Sequence, residues 1–142
     1  DEEQRGCLEA EVDIEGKKII FLSTHLDCHR QEDIRIKQTA DIMNIISPKK
    51  EMVIFTGDLN SYIRTDGNDI KTAAGIFEGK LYDTACVSPL QKNIGTLIKG
   101  KRIDFIFVNK SLADSIAEYR VINYGDAKVA SDHFPILAKI SR

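Results

Sequence analysis

The chain has no tryptophan and only three prolines, three cysteines and three histidines among its 142 residues. Cys7, Cys28 and Cys86 are odd in number and contain no CxxC pair, which argues against a disulfide framework and a structural zinc site. No apolar run approaches the roughly 20 residues that a membrane-spanning helix needs. No secretory leader opens the sequence, and Asp1-Glu-Glu-Gln-Arg-Gly reads like the middle of a protein. An excess of positive charge is also missing: 20 Lys and Arg face 22 Asp and Glu, for a net charge of −2. This does not suggest a protein that coats nucleic acid by charge alone. It leaves room for a phosphate substrate, because a bound cation can supply the positive charge. Repeats, linkers and low-complexity stretches are absent as well.

What is present is an ordinary globular composition, 42% hydrophobic and 30% charged, in a length that fits one domain over residues 1–142. A chain of this size buries roughly two thirds of its unfolded surface.

Cys7 to Ile14 alternates, with Leu8, Ala10, Val12 and Ile14 on one face, which predicts a half-exposed strand. Glu15-Gly16-Lys17 forms a turn into a second strand, Lys18 to Thr24, giving a hairpin. The spacing of Ile34, Ala40, Ile42, Met43, Ile45 and Ile46 predicts an amphipathic helix over Gln31 to Ile46, stopped by Pro48. A third strand, Glu51 to Thr56, completes a β-β-α-β unit. Asp66-Gly67-Asn68 supplies a turn and cap before a short helix, Ile70 to Phe77. Tyr82 to Gln91 is mostly loop. Short strands follow at Thr96 to Ile98, Arg102 to Val108, Ser115 to Asn123 and Phe134 to Ile140, with a turn or single helical turn over Lys110 to Asp114.

Polar residues concentrate at four strand ends: His25 with Asp27, Asp58 with Asn60, Asp104, and Asp132 with His133. In extended chain, Asp58 and Asn60 share a face, and a carboxylate and an amide there can hold a cation or a phosphate oxygen. The same stretch also reads as a strand followed by an Asx turn. Asp104 sits in an apolar strand, where a carboxylate is costly unless charge-paired or hydrogen-bonded. It either orients a histidine, as the acid of a catalytic triad does, or pairs with Arg102 or Lys101. Asp132 and His133 point apart on extended chain, which suits a cation ligand and a proton acceptor; the pair also reads as a capped turn with a surface histidine, the reading the pair alone favours. His25 reads as functional or as a hydrogen-bonded rim histidine. His29 and Cys28 read as loop residues. Aspartate and asparagine suit Mg²⁺ or Mn²⁺ better than zinc, and this set of side chains suffices for metal-assisted hydrolysis of a phosphate ester.

Four motifs carry a resemblance: Ser23-Thr-His-Leu26, Thr56-Gly-Asp-Leu-Asn60, Arg102-Ile-Asp-Phe-Ile-Phe107 and Ser131-Asp-His-Phe-Pro135. In this order they resemble the endonuclease/exonuclease/phosphatase superfamily, with its deoxyribonuclease I-like fold, over about Arg5 to Ile140. Gln4-Arg-Gly-Cys-Leu-Glu-Ala resembles the central strand of bacterial members described as metal-dependent hydrolases. The resemblance implies an α+β fold, a β-sandwich flanked by helices. It implies that His133 is the general base, oriented by Asp104, and that Asp132 binds Mg²⁺ or Mn²⁺. Asp58 and Asn60 would hold water, phosphate or a second metal, and His25 would contact the phosphate and assist the leaving group. The superfamily also carries a first half with an Asn and a principal Glu metal ligand. This chain shows neither motif, and Glu9, Glu11 and Glu32 do not match the Glu motif. The expectation is therefore a C-terminal half, partnered by the missing N-terminal half or by a second copy.

The Ser-Thr-His-Leu form resembles the deoxyribonuclease, sphingomyelinase and deadenylase branches, which favours a phosphodiester substrate in nucleic acid or a lipid headgroup. The alternatives are a phosphomonoesterase acting on a sugar, inositol or lipid phosphate, and a non-catalytic half-domain. Lys92, Lys99, Lys101 and Arg102 form either a basic rim or a solvated loop. Asn109-Lys-Ser111 fits a glycosylation sequon, a pattern that also arises by chance.

Overall fold

Glu15 and Gly16 take positive φ values of 55° and 78°. They close a two-residue turn, the type that matches the twist of the strands it joins. This turn links β1 (Cys7–Ile14) to β2 (Lys17–His25) as an antiparallel hairpin. The computed structural model describes residues 4–63, 72–88 and 94–141. The predicted turn at Asp66-Gly67-Asn68, the start of the predicted helix at Ile70 and the basic residue Lys92 lie outside them.

After β2 the chain crosses over through α1 (Glu32–Ile46) and returns as β3 (Met52–Asp58), parallel to β2. The buried face of α1 is Arg35, Thr39, Ile42 and Ile46, spaced as one helical stripe. The predicted stripe included Ala40 and Ile45, which are exposed. Two polar residues replace them, because Arg35 has partners waiting beneath the helix: it donates to Glu32 and to the Asp27 and His29 carbonyls. α2 (Ala73–Glu78) starts at Thr72, whose hydroxyl accepts from the Gly75 N–H. The stretch expected to be loop instead contains β4 (Tyr82–Asp83) and α3 (Thr84–Val87), where the Asp83 carboxylate caps the helix by accepting from Ala85 N–H. β5 (Asp104–Val108) runs antiparallel to β3 and β4. α4 (Lys110–Ala113), β6 (Ile116–Val121), α5 (Ala127–Ala130) and β7 (Ile136–Ile140) complete the chain.

The main sheet has the order β1-β2-β3-β5-β4, and β6 and β7 form a second antiparallel sheet. One face of the main sheet packs under α1 and α2 through Leu22, Val53, Phe55, Phe105 and Phe107. Phe77 of α2 lies 4.5 Å from the Phe55 ring centroid and 5.9 Å from that of Phe107. The opposite face, Ile54 and Val108 with Ile106, packs on Leu112, Ile116 and Ile140. This second layer stops short of β1. The alternation there predicted one buried face, yet every residue after Cys7 is exposed, Leu8 to 72%. The fold is thus a two-sheet α+β arrangement with an uncovered apolar stripe on its outermost strand. No helix among the described residues is long and apolar enough to cross a membrane. Asn109 spends its amide inside this fold, donating to the Glu51 carbonyl at 2.7 Å, so its side-chain nitrogen is already engaged.

Candidate active site at a strand-end rung

Pairing register builds the site. His25 is the last residue of β2 and pairs with Asp58, the last residue of β3. Asp58 in turn pairs with Asp104, the first residue of β5. Residues on one rung of adjacent strands point to one face, so His25, Asp58 and Asp104 project together from a single terminal rung. That face is the one opposite α1 and α2, beside the second sheet. His133 arrives from the other side, on the segment before β7, where it forms a lone antiparallel bridge with Leu97.

His133 Nδ1 lies 3.0 and 3.2 Å from the two Asp104 carboxylate oxygens. A carboxylate only accepts, so Nδ1 carries the proton and donates, leaving Nε2 free to accept one. Nε2 faces Asp58 Oδ2 at 3.9 Å. His25 Nε2 lies 3.4 Å from the same oxygen. Burial alone would lower the pKa of His133; the hydrogen bond and charge of Asp104, with the charges of Asp58 and Asp132, raise it above its ordinary value. Asp58 is also pushed up, chiefly by burial, with the neighbouring Asp104 charge adding to it. The Asn60 N–H and the two histidines pull the other way.

The Asx-turn reading of the Asp58-Asn60 stretch holds, and β3 ends at Asp58, so the two side chains do not share a face of extended chain. Asp58 Oδ1 accepts from the Asn60 N–H at 2.9 Å, an Asx turn. Asn60 adopts a positive φ of 44°, which asparagine tolerates better than most residues. This reversal swings its amide back so that Nδ2 donates to the Leu26 carbonyl and to His25 Nε2, each at 3.1 Å. Leu59 points inward and is fully buried. Gly57 serves a close approach: a Cβ there would stand 2.5 Å from the Thr24 carbonyl oxygen of β2.

Other expectations are corrected. Asp27 is buried and belongs to His29, whose Nδ1 lies 2.9 Å from it, rather than to His25. The His29 backbone N–H holds the Asp27 carboxyl below its usual range. Arg102 precedes β5 and is buried against Asp83, so it pairs neither with Asp104 nor with solvent as part of a basic rim. Lys99 and Lys101 are exposed. Asp132 is exposed and adjoins the group formed by Asp58, Asp104 and His133, whose ligand atoms all lie within 4.8 Å of one another. Burial pushes two of the thiols up: Cys7 above its ordinary value, and Cys86 to about 11 with the Asp83 charge adding to it.

Two residues passed over in the sequence position this site. Thr96 is fully buried, and its hydroxyl accepts from the N–H groups of Ile103 and Asp104, fixing the start of β5. Glu32 accepts from Arg35, from the Ser61 hydroxyl and from the Ala73 N–H, tying the start of α1 to the turn after Asn60 and to α2. A Glu in a first helical turn was its only trace in the sequence.

The donor set suits a divalent cation. Two carboxylates and an imidazole converge, and both carboxylates are partly buried beside each other, an arrangement that a cation relieves.

No family model and no curated protein matches the chain. Solved structures do. An endonuclease/exonuclease/phosphatase family protein of Leptotrichia buccalis matches with a TM-score of 0.73 and 26% identity over 96% of this chain. The chain has the endonuclease/exonuclease/phosphatase fold. A mannosyl-6-phosphatase of Bacteroides thetaiotaomicron (TM-score 0.73, 22% identity, 97% of this chain) and an AP endonuclease of Archaeoglobus fulgidus (0.65, 15%, 93%) share it. The match spans 54%, 57% and 64% of the Leptotrichia, Bacteroides and Archaeoglobus chains respectively, so this chain covers a little over half of each. In this endonuclease/exonuclease/phosphatase fold, the strand-end rung and the His133 segment are the features that gather chemistry.

Proposed function

We propose that this chain carries the base-and-carboxylate side of a divalent-metal-dependent phosphoesterase that cleaves phosphodiesters. The observation behind the reading is the Asp104–His133 hydrogen bond, which leaves Nε2 of His133 facing Asp58 across the rung. His133 takes a proton from the attacking water at Nε2, and Asp104 holds the ring and stabilises the imidazolium that forms. His25, fixed by the Asn60 amide, contacts the phosphate and assists the leaving group, and Asn60 orients it. Asp58, with Asp104 and the nearby Asp132, would hold Mg²⁺ or Mn²⁺. When bound, the ion would neutralise charge that builds on the phosphate.

Hydrolysis of bis(p-nitrophenyl) phosphate and p-nitrophenyl phosphate with Mg²⁺ or Mn²⁺ tests this, alongside Mn²⁺ titration. The diester is expected to be the better substrate, with activity lost in His133→Ala. Faster turnover of the monoester would move the assignment to a phosphomonoesterase. Absence of both Mn²⁺ binding and hydrolysis would make the chain a non-catalytic half.

The partner we assign to the uncovered β1 stripe is the remainder of the sandwich, since the matched structures are nearly twice as long. Sedimentation checks it. A homodimer would give the place to a second copy, and a monomer that binds no hydrophobic dye would remove the need for either.

A further inference from the structure

A cleft of about 430 Å³ opens beside the rung. It shares Asn60 with the candidate site, and its wall includes Leu97, the bridge partner of His133. That volume lies within the range of small-ligand sites. Its cations fall into two kinds. Arg35 is buried and neutralised by Glu32. Arg30 and Lys101 are exposed and form no ion pair among the described residues. Tyr62, 45% exposed, offers an aromatic face on the same cleft.

The rung itself presents two carboxylates, and the whole chain is net negative at −2, so nothing general draws an anion here. Two exposed cations without an ion pair among the described residues, in a concavity that adjoins the reacting groups, therefore mark a local preference for negative charge.

We propose that this cleft binds the part of the substrate next to the scissile phosphate, and that Arg30 and Lys101 hold a second phosphate there, with Tyr62 and Leu97 against the sugar or base between. The inference rests on the phosphoesterase reading for which phosphate is cleaved, but the cleft's preference is measurable without turnover. Arg30 and Lys101 act here as specificity residues rather than catalytic ones.

Calorimetric titration of the Mg²⁺-loaded chain with thymidine 3′,5′-bisphosphate and with thymidine 5′-monophosphate provides the test. The bisphosphate is expected to bind roughly tenfold more tightly, the scale of one charge-assisted contact. Arg30→Ala and Lys101→Ala should each remove most of that ratio without changing the melting temperature, while Lys101→Arg keeps it. Equal affinities, no measurable binding of either nucleotide, or variants that weaken both equally would overturn the subsite. A preserved preference with no hydrolysis of either nitrophenyl ester would sink the phosphoesterase reading and leave the anion cleft standing.

Discussion

Asn60 does two jobs that substitution can separate. Its positive φ turns the chain, and its amide holds His25. Asn60→Gly keeps the turn and deletes the amide, so the chain should lose only the hydrogen bond to the Leu26 carbonyl, about 1 kcal/mol, while activity falls roughly 10²- to 10³-fold, as when one positioned donor is lost. Asn60→Ala should show the same loss plus about 1–2 kcal/mol of destabilisation from a Cβ in the left-handed region. Equal stability of the two variants would remove strain from the account. His133 offers a second handle. In the metal-free chain its imidazole should titrate above 6.5, and Asp104→Asn should bring it down, as read from ring proton shifts by NMR. The sign of the linked stability follows. The raised folded value means that protonated His133 stabilises the fold fully below 6.5, and this contribution disappears as pH rises through the folded value. A ring titrating below 6.5 would show that burial outweighs its carboxylate partners.

At the scale of elements, the Gly57–Thr24 rung sets the spacing on which the site depends. A methyl at Gly57 meets backbone rather than a pliable side chain, so β2 and β3 must part just before His25 and Asp58. Gly57→Ala should cost about 1–3 kcal/mol in chemical denaturation, the range for overpacking, and reduce activity by more than the stability loss explains. A variant with full activity would show that the rung tolerates a shift. The same elements show what a linear reading captures. The β-β-α-β unit was legible because alternation, the Glu15-Gly16 turn and Pro48 are local features. The site's four polar strand ends were legible because hard ligands rarely punctuate apolar strands. Their registry was not, since a parallel pairing across a crossover helix is fixed by non-local packing. Arg102 and Asp104 looked like partners two apart on one strand; β5 begins only at Asp104, and the buried Asp83 carboxylate captures the arginine. The expected strand at Thr96 to Ile98 reduces to the single Leu97 bridge, because its backbone instead closes a tight loop onto Lys101. The Glu32 hub could not be inferred, since its three partners come from the helix, the Ser61 turn and the start of α2.

For the molecule as a whole, the site weakens the fold that carries it. Asp58 titrates above 3.8, so its ionisation is disfavoured in the folded chain, and stability falls as pH rises from about 3.8 through the folded value. Asp58→Asn keeps an acceptor for the Asn60 turn and removes the charge. It should raise the melting temperature in chelator, by the order of 1 kcal/mol common to such replacements, while abolishing hydrolysis. Mn²⁺ should stabilise the wild-type chain in proportion to its concentration over its dissociation constant and leave the variant unmoved. A lower melting temperature in the variant would mean that Asp58 anchors the sheet instead. The placement of His133 has its own consequence. Its ring belongs to the segment before β7, whereas the groups it works with stand on the main sheet, and Leu97 and Asp104 are its moorings between the two. A slight slippage of one layer over the other would part His133 from Asp104 and Asp58 while each layer stayed intact. On the proposed function, hydrolysis should therefore be lost at gentler heating or milder denaturant than the secondary structure, with the chain going silent before it melts.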